Sequence, residues 1–171
     1  MSDANQHRLR FRDAMANLPA AVNIVTTQGP AGRCGITATA VCSITDSPPT
    51  LLVCVNSNSA MNPVFRQNER MCINVLNHRQ EEMARHFAGM TELPMADRFL
   101  LEGWQEGSLG QPVLNDALAS LEGEISQVQT LGTHQMYLVE IRHIWLAASG
   151  DGLIYFKRRF HSLTAALQET C

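Results

Sequence analysis

"GITATAVCSITDSPPTLLVCVNSNSAMNP", residues 35–63, is the stretch on which the fold turns. Its centre, Thr50 to Val55, has the apolar, β-branched look of a buried strand. That strand stops at four short, uncharged polar side chains, Asn56, Ser57, Asn58 and Ser59, and the pattern becomes helical from Ser59 to Asn68. Upstream, "CGITATAVCSIT" (34–45) reads as a second extended run, broken by Asp46-Ser47-Pro48-Pro49. Outward on either side lie two more strands, "AVNIVTT" (21–27) and "MCINVLN" (71–77). Phe11, Ala14, Met15 and Leu18 recur at helical spacing until Pro19 ends a first helix. A further helix runs through "RQEEMARHFAG" and stops at Gly89.

From Met90 to Gln111 the periodicity dissolves into a long irregular segment, of the kind that often carries function. Beyond it, Leu121, Gly123 and Ile125 alternate with Glu122, Glu124 and Ser126, which is period two and sets the glutamates on the opposite face. "QMYLVEIRHIWLA" (135–147) is a long apolar strand, "GLIYFKRRF" (152–160) closes the sheet, and a short helix ends the chain. Seven or so strands, few helices and hairpin-length turns predict a mainly β protein: an antiparallel sheet closed into a barrel, with a few short peripheral helices. A doubly wound parallel sheet needs strand and helix to alternate throughout, and here they do not. No repeat, linker or low-complexity tract divides residues 1–171, so one domain is expected.

With 45% hydrophobic and 17% charged residues the chain has ordinary globular composition. A net charge of −3 gives no electrostatic reason for nucleic acid or an anionic membrane, and Lys157-Arg158-Arg159 is too short a basic run to change that. No apolar stretch approaches the ~20 residues that cross a bilayer, and the polar start "MSDANQHRLRFRD" lacks a signal peptide's apolar segment. A cytoplasmic protein is expected. The five cysteines agree: their count is odd and no C-x-x-C occurs, so Cys34, Cys42, Cys54 and Cys72 read as reduced core thiols, with Cys171 at the end of the chain.

Dinucleotide, Walker, nucleophile-elbow and zinc-protease motifs are all missing. Glu82 and His86 stand four apart on a helix, but without a second ligand pair they read as a solvated face and no metal is expected. What stands out is the small run Thr37, Ala38, Thr39, Ala40, where bulky residues would normally fill a core. Small side chains suit either a strand packed tightly under a helix or the approach of a flat ligand to bare backbone N–H groups. Ser59 could be a helix N-cap; a phosphate held by hydroxyls, an amide and backbone N–H groups would account for its three neighbours as well. "GTH" (132–134) lies at a tight bend, where a histidine is commonly just exposed. If extended, "YFKRRFH" puts Tyr155, Lys157 and Arg159 on one face, either a charge-protected edge or the frame of a second nucleotide.

Read together, "AVNIVTT … GITATAVCSITDSPPTLLVCVNSNSA … RMCINVL … RHFAG … GTH … GLIYFKRRFH" resembles the short-chain flavin reductases of the split β-barrel, FMN-binding type, from Phe11 to about His161. The resemblance implies an NAD(P)H:flavin oxidoreductase that reduces FAD or FMN for a separate, phenol-hydroxylating monooxygenase. It places flavin against Thr37, Ala38, Thr39, Ala40 and Val41, with phosphate near Asn56, Ser57, Ser59 and Ala60. Arg85, His86 and Phe87 also approach the flavin, while His134, Tyr155 and His161 lie on the NADH side. Many relatives carry Gly-Asp-His where this chain has Gly132-Thr133-His134, which leaves NADH against NADPH open. A homodimer with its site near the interface is implied as well. The rival readings are the same catalysis for another oxygenase, such as one that opens a pyrimidine ring, and a split-barrel protein that holds flavin or haem without turnover.

Overall fold

At Thr39 and Ala40 the expected single run 34–45 breaks in two, and that break shapes the molecule. A computed structural model describes residues 2–164; the expected terminal helix and Cys171 lie outside them. The chain begins with α1 (Asp3–Met15), then β1 (Ala20–Ala21), β2 (Asn23–Gly29), β3 (Gly32–Ala38), β4 (Val41–Asp46) and β5 (Pro49–Asn56). Next come α2 (Asn62–Asn68), β6 (Arg70–Val75), a 3-10 turn (His78–Gln80), α3 (Glu81–Phe87) and α4 (Met95–Arg98). Of the six described strands that follow, the first five are β7 (Trp104–Glu106), β8 (Pro112–Leu114), the 13-residue pair β9 (Ala119–Leu131) and β10 (His134–Leu146), and β11 (Gly152–Phe156). The last described strand is β12 (Arg159–Leu163).

Seven of these strands form one antiparallel sheet in the order β3-β2-β6-β9-β10-β5-β4. Its two edges, β3 and β4, are consecutive in the chain and separated only by Thr39 and Ala40. A sheet whose edges are joined by two residues must curl on itself, and β3 duly approaches β5 across the gap. The outcome is a split β-barrel, closed around Val25, Val53, Phe65, Ile73, Tyr137 and Val139, with a seam at the β3–β4 corner. A second core, of Val22, Ile24, Leu76, Phe87, Phe99 and Leu153, lies under α3.

Several expectations change. "GLIYFKRRF" does not close the main sheet: β11 and β12 form a separate sheet with β1. Nor is it one extended strand, because Lys157 and Arg158 have φ of 48° and 60° and make a two-residue hairpin turn, so Tyr155 faces Phe160 across the ladder. Two positively charged residues at positive φ replace the usual Asn-Gly, which hid the turn. The supposedly irregular 90–111 segment contains α4 and β7, β7 pairs with β8 just beyond it, and Trp104 packs on Phe87 and Phe99 at 5.4 and 5.1 Å. Glu122 lies in a strand as the period-two pattern implies, and it is fully buried, because both faces of β9 are covered there. Cys42 is exposed, not a core thiol, because it sits on an edge strand. α1 forms as expected, yet none of its residues is buried. No helix of the described residues is long and apolar enough to cross a membrane.

Candidate functional site

The seam opens into a cleft of about 340 Å³. Residues 36–40 form its floor, Cys54, Val55 and Asn56 at the end of β5 one wall, and Phe87 and Ala88 the other, with Ser59 at the rim. That volume falls within the ~300–1,000 Å³ usual for small-molecule sites. The small residues pack under a helix over part of the run and lie open over the rest. At Gly35 an added Cβ would stand 2.9 Å from the Phe87 ring and 3.2 Å from Thr26, so α3 packs tightly on β3 at this point. Thr37 ties the same helix down by donating to the Ala84 carbonyl at 2.6 Å. Beyond it the helix no longer covers the strand, and Ala38, Thr39 and Ala40 face open space. Beside the cleft, the Cys54 thiol is pushed up by burial and then by neighbouring Cys42, so it lines the wall as neutral S–H.

The "NSNS" loop is held largely by itself. Ser57 N–H donates to the Thr133 carbonyl (2.8 Å), Asn58 N–H to Asn56 Oδ1 (2.9 Å), and Ser59 N–H to the Asn56 carbonyl (2.9 Å). Ser59 is not the N-cap of α2; that position is Met61, whose N–H donates to Ser59 Oγ at 3.3 Å. Most backbone N–H groups of the loop are therefore committed, which removes the expected backbone share of an anion seat. The hydroxyls are another matter. Ser59 Oγ already accepts from Met61, and Ser57 Oγ accepts from Gln135 Nε2 at 3.2 Å. An oxygen that accepts inside the protein has its O–H free to donate outward. The loop that ends the cleft thus carries two neutral hydroxyl donors.

Of the residues expected near a flavin, Thr37, Ala38, Thr39, Ala40, Asn56, Ser59 and Phe87 line the cleft together. Val41 packs on the barrel core opposite Val53, and Ser57 and Ala60 do not line the cleft. Arg85 pairs with Glu81 at 2.6 Å and lies over the Phe160 ring at 5.0 Å, bridging α3 to the β11–β12 hairpin. His86 opens onto a separate cleft of about 520 Å³ with Arg79, Glu102 and Asp116, and its Nδ1 meets Thr91 Oγ1 at 2.7 Å. His134 is exposed and in register with Asn56, at the cleft's end; Thr133 Oγ1 holds its Nδ1 at 2.9 Å. Tyr155 packs on Phe160 at 5.0 Å, and His161 Nε2 meets the Phe156 carbonyl at 3.2 Å; neither lines the cleft. Sequence reading missed Cys54, whose position one strand-step from Asn56 was a usable signal. It also missed Gln135 and Arg66, for which only the β5–β10 register could have spoken.

Among the described residues the lining carries no carboxylate and no imidazole, and Cys54 is its one thiol, so its chemistry is that of a stacking surface with a hydroxyl donor at one end. A family model, "Flavin reductase like domain", matches residues 15–164. The chain is 68% identical to the 4-hydroxyphenylacetate 3-monooxygenase reductase component of Salmonella typhi, over 96% of each chain. It is 51% identical to "FMN reductase (NADH) RutF" of Enterobacter sp. strain 638, over 90% of this chain and 92% of that one. Among solved structures, the NADH:FAD oxidoreductase SgcE6 of Streptomyces globisporus, in complex with NAD and FAD fragments, superimposes with a TM-score of 0.84 at 27% identity, over 97% and 96%. A family match over most of the chain, and co-linear likeness to reductases in both sequence and fold, lead to one assignment: the chain belongs to the flavin reductase family.

Proposed function

We propose that residues 1–171 form a single NADH-dependent flavin reductase domain that delivers reduced flavin to a separate oxygenase, a 4-hydroxyphenylacetate 3-monooxygenase. The observation that carries this reading is the seam cleft, floored by small side chains and ended by the Ser59 hydroxyl, with the Ser57 hydroxyl on the same loop, each accepting inside the protein and so left to donate outward. A flavin ring fits over Ala38, Thr39 and Ala40, where no side chain larger than threonine keeps it from the backbone, and its phosphate fits beside Ser57 and Ser59. When bound, the nicotinamide and the flavin supply the hydride chemistry themselves. The chain's task is then to hold two rings at ~3–3.5 Å and exclude competing geometries, which needs no acid, base or nucleophile in the lining. His134, beside Asn56 with Nδ1 engaged by Thr133, offers Nε2 to the nicotinamide side. Arg85 holds the hairpin of Tyr155 and His161 against α3, on the side from which a second nucleotide would approach.

A homodimer completes the proposal. α1 buries nothing, while Phe11, Met15 and Leu18 on and beside it are 60%, 46% and 62% exposed, and Ile144 and Leu146 stand out from β10. Apolar groups of that size call for a cover, and a second copy supplies one. Cytoplasmic residence suits the free thiols of Cys34, Cys42, Cys54 and Cys72. The test is to mix purified protein with NADH and FAD or FMN in air and follow NADH absorbance, then add the oxygenase component and 4-hydroxyphenylacetate. Flavin-dependent NADH consumption and hydroxylated product are expected. Flavin binding without consumption would leave a binding protein and overturn the catalytic reading.

A further inference from the structure

The hydrogen-bond chain behind Ser57 has only one possible polarity. Arg66, on α2, donates through Nη2 to Gln135 Oε1, and Thr130 Oγ1 donates to the same oxygen at 3.1 Å. Gln135 Nε2 in turn donates to Ser57 Oγ at 3.2 Å. A guanidinium has no acceptor, so the side of the Gln135 amide that faces Arg66 must be its oxygen. Its NH₂ must therefore face Ser57, and Ser57 must accept. With that lone pair used, the serine proton is left for whatever lies in front of it. Gln135 is only 7% exposed, and the amide cannot turn over without setting NH₂ against the guanidinium. The loop itself cannot drift, because Ser57 N–H is bonded to the Thr133 carbonyl and Asn62 Nδ2 reaches the Asn56 carbonyl at 2.8 Å.

We infer that Gln135, oriented by Arg66, is a positioning residue that commits the Ser57 hydroxyl to donate to the terminal phosphate of the flavin. The inference rests on the proposed phosphate seat and deepens it. A lone serine hydroxyl would spend part of its time accepting from water or neighbours; this one is aligned in advance. The arrangement also conveys the Arg66 charge through two polarised bonds without placing a cation on the phosphate. Selectivity for a phosphorylated flavin over riboflavin is then built by a residue that touches neither.

The test compares dissociation constants for FMN and riboflavin, by quenching of flavin fluorescence, in the wild type and in Ser57→Ala, Gln135→Glu and Gln135→Met. The glutamate keeps its bonds to Arg66 and Thr130 but can only accept, so Ser57 must donate backwards. FMN affinity should fall about tenfold in Gln135→Glu and in Ser57→Ala, and about threefold in the uncharged Gln135→Met, as expected for loss or misdirection of one donor to an anion. Riboflavin affinity should change by less than about twofold, since no phosphate is involved. Equal losses for both ligands would make Gln135 a merely structural residue. If Ser57→Ala lowers FMN affinity selectively while both Gln135 variants bind FMN as wild type, the positioning role is overturned and the seat stands. If Ser57→Ala itself leaves FMN binding unchanged, the seat reading fails, and the role of Gln135 with it.

Discussion

Glu122 is the residue at which a single change should do the most damage far from the cleft. Its side chain is fully buried on β9, between Cys72 of β6 and His143 of β10. One carboxylate oxygen accepts from Leu109 N–H at 2.9 Å and the other from Gln111 N–H at 3.0 Å. Gly107 lies so close that a Cβ there would collide with the carboxylate. Gln111 continues the clamp, bonding both the N–H (2.9 Å) and the carbonyl (3.0 Å) of Gln28 through its side chain. The carboxylate thus pins residues 107–111 to the barrel, and with them β7 and β8, which carry Trp104 against Phe87. Glu122→Ala would orphan two amides, each costing about 1–3 kcal/mol when left unmade, so about 2–6 kcal/mol in all. Glu122→Gln keeps one acceptor and sets an amide N–H against a backbone N–H, costing about 1–3 kcal/mol.

For a chain of this length 1 kcal/mol corresponds to ~2–4 °C in Tm, so Glu122→Gln should melt roughly 2–12 °C lower and Glu122→Ala lower still. Unfolding followed by circular dichroism, with wild type and variants at one fixed protein concentration, measures this. Amide hydrogen exchange adds a local readout, with Leu109 and Gln111 losing protection before the barrel strands do. A Glu122→Gln protein within about 0.5 kcal/mol of wild type, with both amides still protected, would refute the clamp.

Two further outcomes are expected. His134→Ala should raise the Michaelis constant for NADH and lower kcat/KM by about 1–3 kcal/mol, leaving flavin affinity nearly unchanged; unaltered NADH kinetics would withdraw His134 from the nicotinamide side. Alkylation with iodoacetamide near pH 8, mapped by peptide, should label exposed Cys42 first and spare Cys34, whose thiol burial pushes up to about 12; saturating FMN should slow labelling of Cys54 on the cleft wall without slowing Cys42, and equal rates with and without FMN would place the flavin elsewhere.

Where the sequence spoke clearly, it did so through patterns that local chemistry enforces. "MCINVL" is largely apolar because both faces of β6 are covered, and Thr50 to Val55 because Val53 and Val55 enter the core while their neighbours are half-buried, and so both could be read directly. The kink at Thr39 and Ala40 left no such trace: neither residue breaks a strand, and the turn exists because the two sheet edges must meet. The burial of Glu122 was not legible because alternation reports a strand's own two faces and not what packs upon them; here the 107–111 segment does. The Lys157-Arg158 turn used two residues that seldom take positive φ, which masked a hairpin inside an apparently continuous strand. Gln135 was invisible for another reason. Its role depends on standing opposite Val55 and beside Ser57, a relation 78 residues apart in the chain that only pairing of β5 with β10 creates.

That same pairing explains why one rim carries both proposed halves of the site. β5 ends at Asn56 where β10 begins at His134, and the bond from Ser57 N–H to the Thr133 carbonyl locks the two chain reversals side by side. A loop suited to phosphate and a histidine suited to nicotinamide therefore sit together through strand register alone, with no glycine-rich turn. The donors gathered there are neutral, and each such bond contributes about 0.5–1.5 kcal/mol, more where its partner is charged. A cation directly on the phosphate would have added tighter hold, and Arg66 stands one amide too far back to provide it. On the proposed reading that distance has a use. A reductase that surrenders its reduced flavin to another protein needs a seat that selects the phosphate yet lets it go, and two aligned hydroxyls with their cation held in reserve meet both demands.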